Sequence, residues 1–160
     1  MPIKVGERLP EAKFRVMTPE GPAWKTTDDI FKGKKVALFA VPGAFTSTCH
    51  KTHVPSIVEN AAALKAKGVN TIAVTSVNDV FVMDAWQKAS GAGNVEFLAD
   101  GNGDFAKAVD LAFDASGNGL GTRSRRYAML VEDGVVKLLN IEEAPGKIEV
   151  SGGGALIKQL

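Results

Sequence analysis

The chain has 160 residues, 45% of them hydrophobic and 23% charged, and a net charge of +1 at pH 7; this is enough for a globular core, and it argues against nucleic acid or an anionic membrane surface as partner. No apolar run approaches the roughly 20 residues of a membrane-spanning helix, and the amino-terminal MPIKVGERLPEAKF lacks the apolar stretch of a signal peptide. A single cysteine forms no internal disulfide, so a reducing compartment, the cytoplasm, is expected; an organellar protein freed of its leader would read the same.

No repeat, low-complexity tract or linker interrupts the chain, and one domain over residues 1–160 is expected. Loose alternation of Ile3, Val5, Phe14 and Val16 predicts short strands near an amino-terminal hairpin, and TPEGPAW predicts a turn. TTDDIFKGKK reads as one helical turn capped by Thr27 or Asp28. The continuous apolar run KVALFAV, 35–41, is a buried central strand. SIVENAAALKAKG is helical and stopped by Gly68. NTIAVTSVN is a second buried strand, and DVFVMDAWQKAS a helix capped by Asn78 or Asp79. VEFLAD follows as a third strand and GDFAKAVD as a short helix. RRYAMLVEDGVVKLLNIE gives two strands joined at Asp133-Gly134, a hairpin signal, and SGGGALIKQL a last helix begun by Ser151.

Strands alternating with helices predict a sheet covered on both faces, and the closing hairpin makes that sheet mixed. The order is similar to the thioredoxin-like pattern. The expected fold class is therefore α/β: a thioredoxin-like fold with a central mixed β-sheet flanked by helices and an N-terminal β-hairpin extension.

The stretch FAVPGAFTSTCHKTHVPS, 39–56, holds Cys49 and both histidines, His50 and His53. Sites in open α/β sheets lie at the carboxyl ends of strands, and Cys49 follows the end of the strand 35–41. A thiol attacks as thiolate, and a free cysteine ionises only near pH ~8.5. Unpaired N–H groups at a helix start favour a negative charge, and Thr46, Ser47 and Thr48 stand where N-caps belong. Thr46 carries a hydroxyl that both donates and accepts. Pro42 has no N–H and covers the site without competing for hydrogen bonds. The cation-rich segment RSRR offers Arg123, Arg125 and Arg126; adjacent residues on a strand face opposite ways, so spacing does not choose between the last two.

Plainer readings stand beside these. A lone cysteine is usually a small buried hydrophobe. Cys49 and His53 share a helix face at a separation of four, but two histidines and one cysteine make a thin metal site, and His53 is expected to cap or hydrogen-bond locally. Arg123 and Arg125 read as surface charges. Trp86 and Phe81 read as core or interface residues. SGGG lacks the Lys-Ser/Thr of a phosphate loop.

VPGAFTSTCHKTHVP resembles the peroxiredoxin signature Pro-x-x-x-Thr-x-x-Cys, filled by Pro42, Thr46 and Cys49, in the variant of the type II, peroxiredoxin-5-like subfamily. IKVGERLPEA, LKAKGVNTIAVTSVND, LADGNGDFAKAVDL and RSRRYAMLVEDGVVKLLNIEE agree with it over nearly the whole chain. The resemblance implies a thiol-dependent peroxidase for hydrogen peroxide or an alkyl hydroperoxide; no cofactor and no metal are expected. It makes Cys49 the peroxidatic nucleophile, Pro42 its shield and Thr46 the group that positions the peroxide. It selects Arg126, directly before the aromatic Tyr127, with Arg123 second. Many relatives carry a resolving cysteine; this chain has none, so glutaredoxin, glutathione or thioredoxin is the implied reductant. His50 stands where relatives commonly have serine, and a cation there would favour the thiolate or greet an anionic thiol. A homodimer is expected, without nucleic acid or membrane. The alternative role is a redox sensor or adaptor that passes oxidation to partner proteins; a third is a holdase-like or purely structural module.

Overall fold

The computed structural model describes residues 1–144 and 146–160. In chain order the strands and α-helices are β1 (Lys13–Thr18), β2 (Gly21–Thr26), α1 (Thr27–Phe31), β3 (Lys35–Ala40), α2 (Val54–Ala66), β4 (Thr71–Ser76), α3 (Val80–Ala89), β5 (Glu96–Ala99), α4 (Asp104–Ala108), β6 (Ala112–Asp114), β7 (Thr122–Ser124), β8 (Tyr127–Glu132), β9 (Val135–Ile141) and α5 (Gly153–Ile157). Among the described residues, seven strands make one sheet in the order β2-β1-β5-β4-β3-β8-β9. β3, β4 and β5 run parallel, and the remaining pairings are antiparallel.

The apolar run of β3 is buried from Val36 to Ala40 because helices cover both faces of the sheet. Ala37 and Phe39 enter one core with Ile57 and Leu64 of α2, Met83 and Trp86 of α3, and Leu156 of α5. Val36, Leu38 and Ala40 enter the other with Ile30 and Phe31 of α1 and Phe105 of α4. This is the period-2 alternation of a strand expressed as two separate cores.

The chain departs from the sequence reading at several points. The expected turn TPEGPAW is confined to Thr18–Gly21, where Thr18 Oγ1 donates to Gly21 O at 2.6 Å, and Pro22, Ala23 and Trp24 belong to β2. Pro22 is tolerated because β2 is an edge strand, where a missing N–H costs no ladder bond. Ile3 and Val5 lie outside any strand. Thr26, not Thr27 or Asp28, caps α1: its hydroxyl accepts from Asp29 N at 3.1 Å and Asp29 Oδ2 accepts from Thr26 N at 2.9 Å, a reciprocal capping box. The small β6–β7 hairpin has no counterpart among the expected elements. Gly152, not Ser151, precedes α5 as its cap, because Ser151 is buried in other bonds.

Candidate active site

β3 ends at Ala40 and runs on through Val41, whose N–H donates to Thr75 O of β4 at 3.1 Å. The chain then turns through Pro42–Thr46 and enters a helix at Ser47. Phe45 takes a left-handed φ of 61° in that turn, a conformation that bulky side chains rarely adopt outside functional loops. Gly43 is held by contact: a Cβ there would stand 3.0 Å from Thr46 Cγ2 and 3.1 Å from Arg123 Nη1. Asn78, just past β4, ties the loop to the sheet, its Oδ1 accepting from Ala44 N at 2.9 Å and from Ser76 Oγ.

His50 N donates to Thr46 O at 2.8 Å, which closes the first helical turn around Cys49. Cys49–His53 then form a wide turn in which Val54 N reaches back to Cys49 O. Pro55 supplies the cause, because it has no N–H for the carbonyl four residues before it, and a turn widened by one residue absorbs the break.

β8 pairs antiparallel with β3 and sets Tyr127 opposite Ala40. The start of β8 therefore lies beside the end of β3, and Arg126 meets a cysteine 77 residues earlier: its Nη2 donates to Cys49 Sγ at 3.0 Å. Cys49 is 0% exposed and Arg126 2%. A guanidinium donor against a sulfur shielded from water suits a negative sulfur, since the attraction is weakly screened there. Arg126 Nη1 donates to His53 Nδ1 at 2.7 Å, and His53 Nε2 donates to Ser151 O at 2.7 Å. Arginine accepts no hydrogen bond, so this pairing fixes the His53 tautomer with its proton on Nε2. Burial first, and the Arg126 charge second, lower the His53 pKa to about 4 against the pull of the Ser151 carbonyl and Glu142.

Glu142 closes the assembly. Its N–H donates to Arg126 O at 3.0 Å, and its Oε2 accepts from Glu149 N (2.8 Å), Val150 N (2.9 Å), Ser151 N (2.8 Å) and Ser151 Oγ (2.6 Å). Burial pushes the carboxyl up, but these donors outweigh it and hold the pKa below the usual carboxylate range.

The other expected site residues are distributed around this centre. Pro42 is buried in the loop. The Thr46 hydroxyl commits its proton to Gly43 O at 2.6 Å and keeps its lone pairs for acceptance. Arg123, read as a surface charge, is a brace: Nε donates to Leu120 O at 2.9 Å, and Nη1 donates to Val77 O at 3.2 Å and lies 3.5 Å from Pro42 O. Arg125 stays outside the centre, its N–H donating to Leu111 O at 2.7 Å. His53, expected to bond locally, bonds instead to Arg126 and Ser151, 73 and 98 residues away. His50 accepts at Nδ1 from Trp86 Nε1 at 3.0 Å and packs on Phe45 at 5.5 Å, so it carries no proton on that nitrogen. Trp86 is core, whereas Phe81 is 66% exposed. Sequence reasoning named Asn78 and Ser151 only as helix caps and missed Glu142; Asn78 and Ser151 act instead on Ala44 and His53, 34 and 98 residues away. Among the described residues, no three His, Cys, Asp or Glu side chains gather as a metal site.

The Redoxin family model matches residues 4–157. Peroxiredoxin-2C of Oryza sativa subsp. japonica is 45% identical over 161 residues, which cover 99% of this chain and 99% of that one. Chloroplastic peroxiredoxin-2E-2 of the same plant is 45% identical over 164 residues, covering 99% of this chain and 72% of that one. The reduced Prx3 of Vibrio vulnificus, solved in complex with H2O2, superposes with a TM-score of 0.94 at 47% identity, covering 98% of each chain. The chain belongs to the peroxiredoxin family. Like other peroxiredoxins it has a thioredoxin-like α/β fold with a mixed central sheet, and it is a thiol-dependent peroxidase, an oxidoreductase that consumes peroxide at the expense of thiols. No helix of the described residues is long and apolar enough to cross a membrane.

Proposed function

We propose that Cys49 is the nucleophile of this peroxiredoxin and that Arg126, Thr46 and Pro42 form the cradle in which it attacks hydrogen peroxide or an alkyl hydroperoxide. The contact of Arg126 Nη2 with Cys49 Sγ at 3.0 Å carries this reading. The thiolate attacks one peroxide oxygen, an S–O bond forms, the O–O bond breaks, and the departing oxygen leaves as water or an alcohol after taking a proton. Sulfur loses two electrons and becomes a sulfenic acid. Arg126 donates toward the charge as it moves from sulfur to the leaving oxygen. The lone pairs of Thr46 receive the peroxide O–H, and Pro42 keeps water from competing.

No second cysteine exists in the chain, so the sulfenic acid condenses with an external thiol, releasing water, and a further thiol frees Cys49 from the mixed disulfide. Glutaredoxin with glutathione is the proposed reductant, with thioredoxin as the alternative, in a thiol-rich compartment, cytoplasmic or organellar. The proposed assembly is a homodimer, favoured by Phe45, 47% exposed on the site loop, and by Phe81 on the helix that carries Trp86; sedimentation of the purified protein gives its mass. A cradle of this kind favours a peroxidase over an adaptor, which needs only an accessible thiol.

The test is peroxide turnover with thioredoxin, glutaredoxin and glutathione compared. Cys49→Ser abolishes consumption, and Arg126→Ala lowers it about 100-fold or more while the fold persists. A Cys49→Ser protein that still consumed peroxide would remove the reading.

A further inference from the structure

We propose that His53 is a positioning residue of the peroxidase reaction, taking one arm of the Arg126 guanidinium at Nδ1 and thereby aiming the other at the Cys49 sulfur. The inference rests on the roles given above to Cys49 and Arg126. The two contacts come from one rigid planar fork: Nη1 meets His53 Nδ1 at 2.7 Å and Nη2 meets Cys49 Sγ at 3.0 Å. Fixing one nitrogen of a planar guanidinium fixes the direction of the other.

His53 is itself fixed. It is 0% exposed, Phe39 meets its ring edge-on at 6.0 Å, and Nε2 donates to Ser151 O at 2.7 Å. Ser151 in turn is clamped through its N–H and its hydroxyl by Glu142 Oε2. The charged groups that act on the imidazole are Arg126, bonded at Nδ1, and Glu142. With a pKa of about 4 the ring is unprotonated at neutral pH and its Nδ1 lone pair is available.

Imidazole is suited to this place by what it withholds. A carboxylate at the same position would accept from Arg126 and also cancel its charge. A neutral ring orients the guanidinium and leaves the full positive charge to act on sulfur.

Two substitutions separate positioning from simple filling of space. The amide oxygen of His53→Asn occupies roughly the place of Nδ1, and the longer amide of His53→Gln reaches the place of Nε2. The first keeps the acceptor for Arg126 and the second keeps the donor to Ser151. Stopped-flow oxidation of the reduced protein by hydrogen peroxide, followed by tryptophan fluorescence, gives the rate constant, and thermal melts give the cost in stability. His53→Gln is expected to slow oxidation by roughly 30-fold, and His53→Asn to restore it to within about threefold of the unaltered protein, at similar loss of Tm. In an Arg126→Ala background neither substitution changes the rate further. Equal slowing in both variants in step with Tm, or an unaltered rate in His53→Gln, would overturn the proposal. In the unaltered protein, ¹⁵N spectra at pH 7 are expected to show an unprotonated Nδ1 coupled across the bond to Arg126; a protonated Nδ1 refutes the proposal whether or not the variants fold. Persisting turnover in Cys49→Ser marks failure of the underlying reading, whereas an inert Cys49→Ser beside a fast His53→Gln marks failure of this proposal alone.

Discussion

Tyr127 stands opposite Ala40 of β3 with its ring wholly buried, and its hydroxyl finds no hydrogen-bond partner among the described residues. Burial, and then the charge of Asp100, push its ionisation far above the ordinary range, so the hydroxyl stays protonated. An unsatisfied buried hydroxyl costs about 1–3 kcal/mol, and Tyr127→Phe is expected to hold or raise stability by about 1 kcal/mol, read from the urea midpoint at unchanged slope. Residues of the candidate site were legible in the sequence to very different degrees. Pro42, Thr46 and Cys49 stand within one stretch at the end of an apolar strand, where local spacing carries information. Arg126 could be told from Arg125 only through the family resemblance, because a two-residue choice at a strand start depends on where the strand begins, and β8 begins at Tyr127. The partners of His53 were illegible, since no local pattern announces a bond to a backbone carbonyl 98 residues away.

Elements were read well where both faces are buried and poorly where a boundary depends on one hydrogen bond. β3 and β4 announce themselves by unbroken apolar runs, whereas Thr26 and Thr27 offer overlapping caps that only the pairing with Asp29 resolves. The glycines that open the last helix have a packing role. A Cβ on Gly153 would lie 2.8 Å from Ser56 O and 3.1 Å from Asn60 Cβ, against the backbone of α2, whereas a Cβ on Gly154 meets only Asn60 Nδ2 at 4.0 Å. Gly153→Ala is therefore expected to destabilise the protein by about 2 kcal/mol through overpacking. Gly154→Ala, within α5, is expected to be neutral or to stabilise by up to ~1 kcal/mol through helix propensity. Parallel thermal melts of the two variants check the contrast.

At the scale of the whole molecule, acid acts through the same buried groups. His53 has a pKa of about 4 folded and 6.5 as a free group, so between those values the unfolded chain binds a proton that the folded chain refuses. Stability therefore rises with pH across that window and falls on acidification, by about 3 kcal/mol at pH 4 from this residue. Glu142, lowered by its donors, adds a loss below its ordinary value as its carboxylate is protonated. Asp100, raised by burial against the N–H groups of Ala106 and Phe105, works in the opposite sense. Urea melts from pH 7.5 down to about 4.5 measure the slope, and His53→Asn flattens it. The sheet order makes a related point. β3 lies between β4, its next strand in the chain, and β8, which is remote, so the sulfur and its cation come together only when residues 77 apart have paired. A copy whose sheet has not closed holds a thiol with no guanidinium beside it, so docking β8 on β3 is what brings the Arg126 charge to the sulfur.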